Sequence, residues 1–194
     1  MPNIVRVARF DVNLSRVLGE GGFGKVYRAK DTSKDPPMEC AAKQMSSMRM
    51  SEDELKKEVG VMRKVGDHPS IIGFLHFEQV AEHSTPEVRD SAWIFMELAT
   101  GGELFDRLID SGNLTERAVA PYFKGMVEGL LHCHRRGVVH RDIKLENVML
   151  SADDPRAVKL VDFGLAVCMP STPDGGFDEG ALLHDKVGSK SYTP

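Results

Sequence analysis

The 194-residue chain is short of cysteine and of long apolar runs, and each shortage removes a class of protein. Its three cysteines, Cys40, Cys133 and Cys168, are odd in number and far apart, which argues against a disulfide framework and for a reducing compartment. No apolar stretch approaches the ~18 to 20 residues of a membrane helix, and the opening MPNIVRVARF has no signal-peptide apolar core. Pro2 excludes an N-myristoylation site, which needs Gly there. Positive charge is not in excess either. Lys and Arg total 25 against 29 Asp and Glu, a net charge of -4, so no global field draws the chain to nucleic acid or anionic lipid. What is present is 41% hydrophobic and 28% charged residue, enough to bury a core. The expectation is a soluble, cytoplasmic protein, with the nucleus also open to it and with neither nucleic acid nor membrane as partner.

No internal repeat occurs. Two stretches rich in Pro, Gly, Ser and Asp, Asp31 to Pro37 and Pro170 to Gly180, read as surface loops. Short β-type runs at Leu14–Leu18, Lys25–Ala29 and Cys40–Met45, each bounded by turn residues, read as an antiparallel meander. Ser51 with Glu54 three residues on is a capping box, and Leu55, Val59 and Met62 follow at helical spacing. Gly66 to Pro69 stop that helix, and Ile71–Phe77 and Ala92–Leu98 read as two further strands around a polar loop. Beyond Gly101 and Gly102 the periodicity becomes helical. The clearest helix has Thr115 as N-cap and Val119, Phe123, Met126, Val127, Leu130 and Leu131 on its apolar positions, with Pro121 expected to kink its first turns. A strand-rich half followed by a helix-rich half predicts α+β architecture in two lobes, 1–96 and 97–194, with ligands expected in the cleft.

Three elements carry chemistry. Gly19, Gly21 and Gly24 in LGEGGFGKVY, followed by Val26, form G-x-G-x-x-G-x-V between two strands. A dinucleotide fingerprint would open a helix there, so the open alternatives are a plain hairpin and a loop whose bare backbone N–H groups close over phosphates. Lys43 ends a strand, and Glu58 lies on the inward face of the following helix. Lys43 is either a solvated surface charge or a phosphate-binding lysine that Glu58 holds in place. The third element is His140-Arg141-Asp142-Ile143-Lys144-Leu145-Glu146-Asn147, then an apolar run, then Asp162-Phe163-Gly164. Together the ordered motifs form the protein-kinase signature set. From Leu18 to Pro194 the chain resembles a eukaryotic protein kinase.

That resemblance implies a two-lobed kinase-like fold, with an antiparallel N-lobe sheet plus one helix and a mainly helical C-lobe. It implies an ATP-dependent serine/threonine kinase that uses Mg²⁺ and transfers the γ-phosphate to protein hydroxyls. The alternative is a pseudokinase, a nucleotide-binding interaction module without catalysis. Phosphoryl transfer passes through a loose, charge-dispersed transition state, so the protein mainly positions reactants and neutralises charge. By resemblance, Asp142 takes the proton of the acceptor hydroxyl, Lys144 steadies the γ-phosphate, and Asn147 and Asp162 hold Mg²⁺ through hard oxygen donors. Gly19, Glu20, Gly21, Gly22, Phe23 and Gly24 cover the phosphates. Met96 stands behind the adenine, backbone groups of Glu97 and Ala99 bond it, and Val26, Ala41 and Met149 sandwich it. Met62, Phe74, His140 and Phe163 match an apolar stack of the family, and each is equally acceptable as ordinary core.

Lys144, two residues after Asp142, implies serine/threonine rather than tyrosine specificity. Glu103 in GGELFD and Glu146 match positions that pair with arginines before the acceptor in basophilic relatives, although Glu103 also suits a solvated helix start. The strings FMELATGGELFDRLI, LTERAVAPYF and HDKVGSKSY are most similar to the calcium/calmodulin-dependent group, in particular the calcium-dependent protein kinases. Calcium or calmodulin regulation through regions outside this sequence is therefore expected. Asp185 stands where many relatives carry a phosphorylated threonine, and a fixed carboxylate there would pair with Arg141 without phosphorylation. Ser189 is expected to touch Asp142 and Lys144. The chain stops at Tyr192-Thr193-Pro194, before the Ala-Pro-Glu motif of the family. The expectation is a C-terminally truncated kinase with apolar faces uncovered around Leu130, Leu131 and Val139, unstable or inactive on its own. His132, Cys133, His134 and His140 lack a second ligand pair at suitable spacing for zinc.

Overall fold

Six strands, β1 (Ile4–Val7), β2 (Phe10–Gly21), β3 (Gly24–Asp31), β4 (Met38–Ser46), β5 (Phe74–Val80) and β6 (Ser91–Glu97), form one antiparallel sheet in the order β1-β2-β3-β4-β6-β5. The computed structural model describes residues 3–21, 24–46, 51–80, 86–88, 90–112, 115–151, 154–172, 176–178, 180, 181, 183, 187–189 and 192. Two compact units emerge, residues 1–59 with 73–98 and residues 60–72 with 99–194. The first unit thus runs to Leu98, and the segment 60–72 counts with the second, whereas the sequence suggested one cut after residue 96.

Alternation decides which face each strand residue takes. Tyr27, Ala29, Cys40, Ala42, Trp93 and Phe95 share one face through the register pairs Tyr27–Ala42 and Ala29–Cys40, and there they meet Phe10, Val12 and Val7 in a buried aromatic core. Phe10 stacks on Phe95 with ring centroids 3.8 Å apart. The long connection before β6 returns Val88 to this core, where the Ser91 hydroxyl donates to the Val88 carbonyl and Trp93 Nε1 donates to Ser91 Oγ at 2.8 Å. Val26, Ala41, Lys43, Ile94 and Met96 occupy the opposite face, through the pairs Val26–Lys43, Ala41–Met96 and Lys43–Ile94.

Helix α1 (Glu52–Val65) begins at a reciprocal cap, with Ser51 N–H donating to Glu54 Oε2 at 2.7 Å and Glu54 N–H to Ser51 Oγ at 3.3 Å. Its Leu55, Val59 and Met62 are buried, as their spacing requires. The strand expected from Ile71 starts only at Phe74. Ile71 instead bridges Leu160, and Ile72 N–H donates to the Leu160 carbonyl at 3.0 Å, so long-range pairing overrides the local β pattern.

The second unit contains α2 (Leu104–Ser111), α3 (Glu116–Arg135) and four short strands, β7 (Val138–Val139), β8 (Val148–Leu150), β9 (Val158–Leu160) and β10 (Val167–Cys168). β8 pairs with β9 and β7 with β10. Thr115 caps α3 by accepting from Ala118 N–H, and the helix runs unbroken through Pro121. Leu104, Val148, Leu150, Val158 and Leu160 form its core, with Leu130 packed against them. The uncovered stripe on α3 is therefore not Leu130 but Phe123, Val127 and Leu131, four residues apart and 67%, 45% and 45% exposed, while Val139 is half-buried.

Candidate active site

In the first unit, Lys43 shares a sheet face with Val26, Ala41, Ile94 and Met96 and is buried there at 8% exposure. Its ammonium donates to Glu58 Oε1 at 2.6 Å. Glu58 lies on the apolar stripe of α1 beside Leu55, Val59 and Met62 and is itself 3% exposed. A buried charge of either sign is tolerated only beside its partner, so each residue explains the other. Glu58 Oε2 is buried with no hydrogen-bond partner among the described residues.

The glycine motif forms the β2–β3 hairpin, with Gly19 opposite Val26, Glu20 opposite Lys25 and Gly21 opposite Gly24. Glu20 pairs with Lys25 at 3.1 Å. Gly24 is demanded by the fold: its φ is 138° and an added Cβ would strike the Gln44 carbonyl oxygen. At Gly19 and Gly21 an added Cβ would meet nothing within 4 Å, so packing does not require glycine there. Bare backbone at both positions leaves room for a close-approaching group such as phosphate. Gly22 and Phe23 lie outside the described residues. Met96 and Glu97 end β6, where Glu97 N–H donates to the Gly73 carbonyl at 2.8 Å, and Ala99 opens the second unit.

In the second unit, the loop between β7 and β8 holds Asp142. Ile143 and Leu145 sink into the apolar core, which anchors the polar residues that alternate with them, Asp142, Lys144 and Glu146. Asp142 is 8% exposed. Its Oδ1 accepts from Ser189 N–H at 2.9 Å and Ser189 Oγ at 2.8 Å, and its Oδ2 accepts from Asn147 Nδ2 at 2.9 Å with Lys144 Nζ at 3.2 Å. Lys144 Nζ also donates to Ser189 Oγ at 2.7 Å. Burial alone would raise the Asp142 carboxyl, but the Ser189 hydrogen bonds and the Lys144 charge outweigh it and hold the group below its ordinary value. Asp142 is an ionised acceptor.

His140, 1% exposed, bridges this loop to the next. Its Nε2 meets the Val161 carbonyl at 3.1 Å and its Nδ1 accepts from Asp142 N–H at 3.3 Å, which assigns the proton to Nε2. Burial keeps its pKa down, against the pull of Val161, Asp162 and Asp142. Val161 N–H donates in turn to the Asn147 carbonyl at 3.0 Å, so Asp162 follows a residue clamped from both sides. Phe163, 2% exposed, packs on the His140 ring with centroids 4.8 Å apart. Arg141 and Asp162 are left-handed, with φ of 67° and 61°, conformations held by the surrounding bonds. Arg141 Nε donates to the Leu165 carbonyl at 2.7 Å, and its expected partner Asp185 lies outside the described residues.

The Asn147 amide donates to both the Asp142 carbonyl and Oδ2 at 2.9 Å, which turns its planar Oδ1 away from Asp142. One amide oxygen and one carboxylate suit a hard divalent cation that takes its other ligands from phosphate and water. Among the described residues no group of three His, Cys, Asp or Glu side chains stands at metal-binding spacing. The residues present fit Mg²⁺ that takes its remaining ligands from phosphate and water.

Residues 12–194 match the family model described as Protein kinase domain. The chain belongs to the protein kinase family. It is similar to CBL-interacting serine/threonine-protein kinase 1 of Arabidopsis thaliana, 36% identical over 97% of this chain and 39% of the relative. Similarity extends to CBL-interacting protein kinase 9 of Oryza sativa subsp. japonica, 31% identical over 96% and 38%, and to calcium-dependent protein kinase 9 of Arabidopsis thaliana, 34% identical over 92% and 31%. The chain thus spans between 31% and 39% of the length of these relatives.

Within this kinase domain, Lys43 and Glu58 meet in the first unit, and Asp142, Lys144, Asn147 and Ser189 meet in the second. Met149 bridges Glu103 through an isolated antiparallel pair. Burial raises the Glu103 carboxyl, and the negative charges of Asp106 and Glu146 add to the rise. The Tyr192 hydroxyl stands 3.5 Å from Glu146 Oε2. Sequence reasoning missed Val161, whose role is purely backbone and leaves no trace in residue type, and the anchors Ile143 and Leu145, whose alternation with the polar residues was readable.

Proposed function

We propose that the protein is a serine/threonine protein kinase that transfers the γ-phosphate of ATP to Ser and Thr hydroxyls of protein substrates. The observation that carries this reading is the Asp142 carboxylate, buried, ionised and flanked by the Lys144 ammonium at 3.2 Å. In the transfer, the acceptor oxygen forms a bond to the γ-phosphorus as the bond from that phosphorus to the ADP oxygen breaks. The hydroxyl proton passes to Asp142 and Lys144 balances charge on the moving phosphoryl group. Lys43, fixed by Glu58, neutralises the α- and β-phosphates, and the open backbone at Gly19 and Gly21 lies over them. Asn147 and Asp162 would hold Mg²⁺, which when bound neutralises phosphate charge. Glu103 and Glu146 favour arginine or lysine before the acceptor, a charge-assisted pairing. Calcium or calmodulin regulation, in line with the relatives named calcium-dependent protein kinases, and a cytoplasmic location are part of the same proposal.

The test pairs thermal shift in ATP and Mg²⁺ with transfer of labelled γ-phosphate to a serine/threonine peptide array. Binding with transfer, abolished by Asp142→Asn while binding persists, supports the reading. Binding without transfer, both in this chain and in any longer protein that contains it, overturns catalysis and leaves a nucleotide-binding module. An array without selection for basic residues removes the role of Glu103 and Glu146.

A further inference from the structure

The stretch after β10 reads in the sequence as a surface loop, but the structure builds it into a small hairpin. Ser171 and Phe177 pair across an antiparallel bridge, Thr172 N–H donates to the Gly176 carbonyl at 3.0 Å, and Asp178 N–H to the Pro170 carbonyl at 3.0 Å. Just before it, Met169 N–H donates to the Gly137 carbonyl at 2.7 Å, so the hairpin starts beside the turn between α3 and β7. Phe177 then lies directly on Gly137. An added Cβ at Gly137 would meet Phe177 Cγ at 2.7 Å and two further ring atoms closer still. Gly137 is also left-handed, with φ of 63°. The ring fills the space that a side chain there would need. Lys64 Nζ, in the last turn of α1, stands 5.0 Å from the ring centroid, within cation–π range.

One half-buried aromatic therefore joins the last turn of α1, the α3–β7 turn and the segment that follows Asp162. Beside Ser171, Thr172, Gly176 and Asp178, a phenylalanine gains burial only where its ring docks. Glu58 precedes Lys64 on the same helix by about 9 Å of rise, and a helix is stiff over that length. His132 Nε2 meets the Val65 carbonyl at 2.9 Å and anchors the helix end independently, so losing the ring would loosen α1 without releasing it.

We propose that Phe177 is a positioning residue, a clasp that fastens the segment after Asp162 to the end of α1 and so steadies Glu58 against Lys43. Its effect on phosphotransfer rests on the kinase reading, whereas its effect on α1 does not. Hydrogen exchange of the amides of residues 61–65 is compared in the wild-type chain, Phe177→Ala, Phe177→Tyr and Gly137→Ala. Phe177→Ala is expected to speed exchange there by about fivefold or more, Phe177→Tyr to restore it, and Gly137→Ala to reproduce the loss by expelling the ring. Lys64→Met keeps the aliphatic stem without the charge and is expected to give a smaller rise, about twofold, and it carries the test if Phe177→Ala fails to fold. In the transfer assay the clasp variants are expected to lower kcat with KM for the peptide unchanged. Exchange in Phe177→Ala, or in Lys64→Met if that is the variant that folds, indistinguishable from wild type overturns the clasp whatever the activity. Absence of transfer both in the wild-type chain and in any longer protein that contains it counts against the kinase reading while the exchange comparison still decides the clasp.

Discussion

Replacing Lys43 by Met, Glu58 by Leu, and both together tests whether the pair is a buried charge couple or an incidental contact. The side chains are 10% and 2% exposed and 2.6 Å apart, with Val26, Ala41, Ile94 and Met96 on the same sheet face as the lysine. Replacing Lys43 takes from the buried Glu58 carboxylate its cation, and replacing Glu58 takes from the buried ammonium its 2.6 Å carboxylate, a loss of about 3–5 kcal/mol. A domain of ordinary stability holds about 5–15 kcal/mol, so either single variant is expected to be severely weakened. Removing both charges leaves apolar volume in an apolar place and is expected to be neutral or mildly stabilising. In urea titrations followed by circular dichroism, with a slope of about 2 kcal/mol per molar, each single variant should move the midpoint by about 1.5 to 2.5 M, and the double variant should return it. The double variant should nevertheless transfer no phosphate, which separates the pair's role in stability from its role toward nucleotide. Single variants within about 1 kcal/mol of wild type, as for an exposed pair, or a double variant as weak as the sum of the singles, would refute the reasoning.

Acidification should destabilise the chain in two steps. Burial and the neighbouring His132 lower the pKa of His68, so between its folded value and the ordinary 6.5 the unfolded chain binds the extra proton and stability falls as pH drops below 6.5. Asp31 loses its contribution only as pH falls below 3.8 through its lower folded value, because Ser33 and Arg9 outweigh the burial that would raise it. A urea midpoint unchanged between pH 7 and 5, or a drop there that His68→Gln fails to reduce, would contradict the first step. Burial pushes the Cys40 thiol up to about 12, with Asp31 and Glu39 adding to it, and the Cys133 thiol up to about 11, whereas Cys168 is exposed. Alkylation near neutral pH should therefore label Cys168 first by mass spectrometry, and equal labelling of Cys40 would show the sheet core to be open. Asp162→Asn should keep the left-handed turn while losing the carboxylate. Asp162→Ala should lose both, with about 1 kcal/mol of further destabilisation, and identical melting of the two variants would contradict the strain read from its φ of 61°.

What was legible in the sequence is what short-range chemistry determines. The start of α1 follows from Ser51 and Glu54, which satisfy each other's backbone within four residues, and its buried face follows from Leu55, Val59 and Met62. The glycine motif was readable as a strand-to-strand hairpin because the residues after Gly24 keep a period of two. The grouping of Asp142, Lys144 and Ser189 was readable through family resemblance, which implied that Ser189 touches the other two. Illegible features are those made by distant partners. Ile71 and Ile72 looked like strand residues but are claimed by Leu160, nearly ninety positions on, and this moves the segment 60–72 into the second unit. The hairpin after Pro170 looked like loop because its single apolar anchor, Phe177, gains a purpose only from Gly137 and Lys64.

Every acceptor site on Asp142 is already taken: two donors from Ser189 on one oxygen, Asn147 and Lys144 on the other. A carboxylate has room for about four such partners, so a newcomer's hydroxyl enters only by evicting that of Ser189. One O–H···O⁻ bond is exchanged for another of the same kind, and the swap leaves the energy of the resting complex nearly level. Affinity for any guest must then be drawn from elsewhere along its length, and a departing guest forfeits nothing at this carboxylate, because the resident serine reclaims the place.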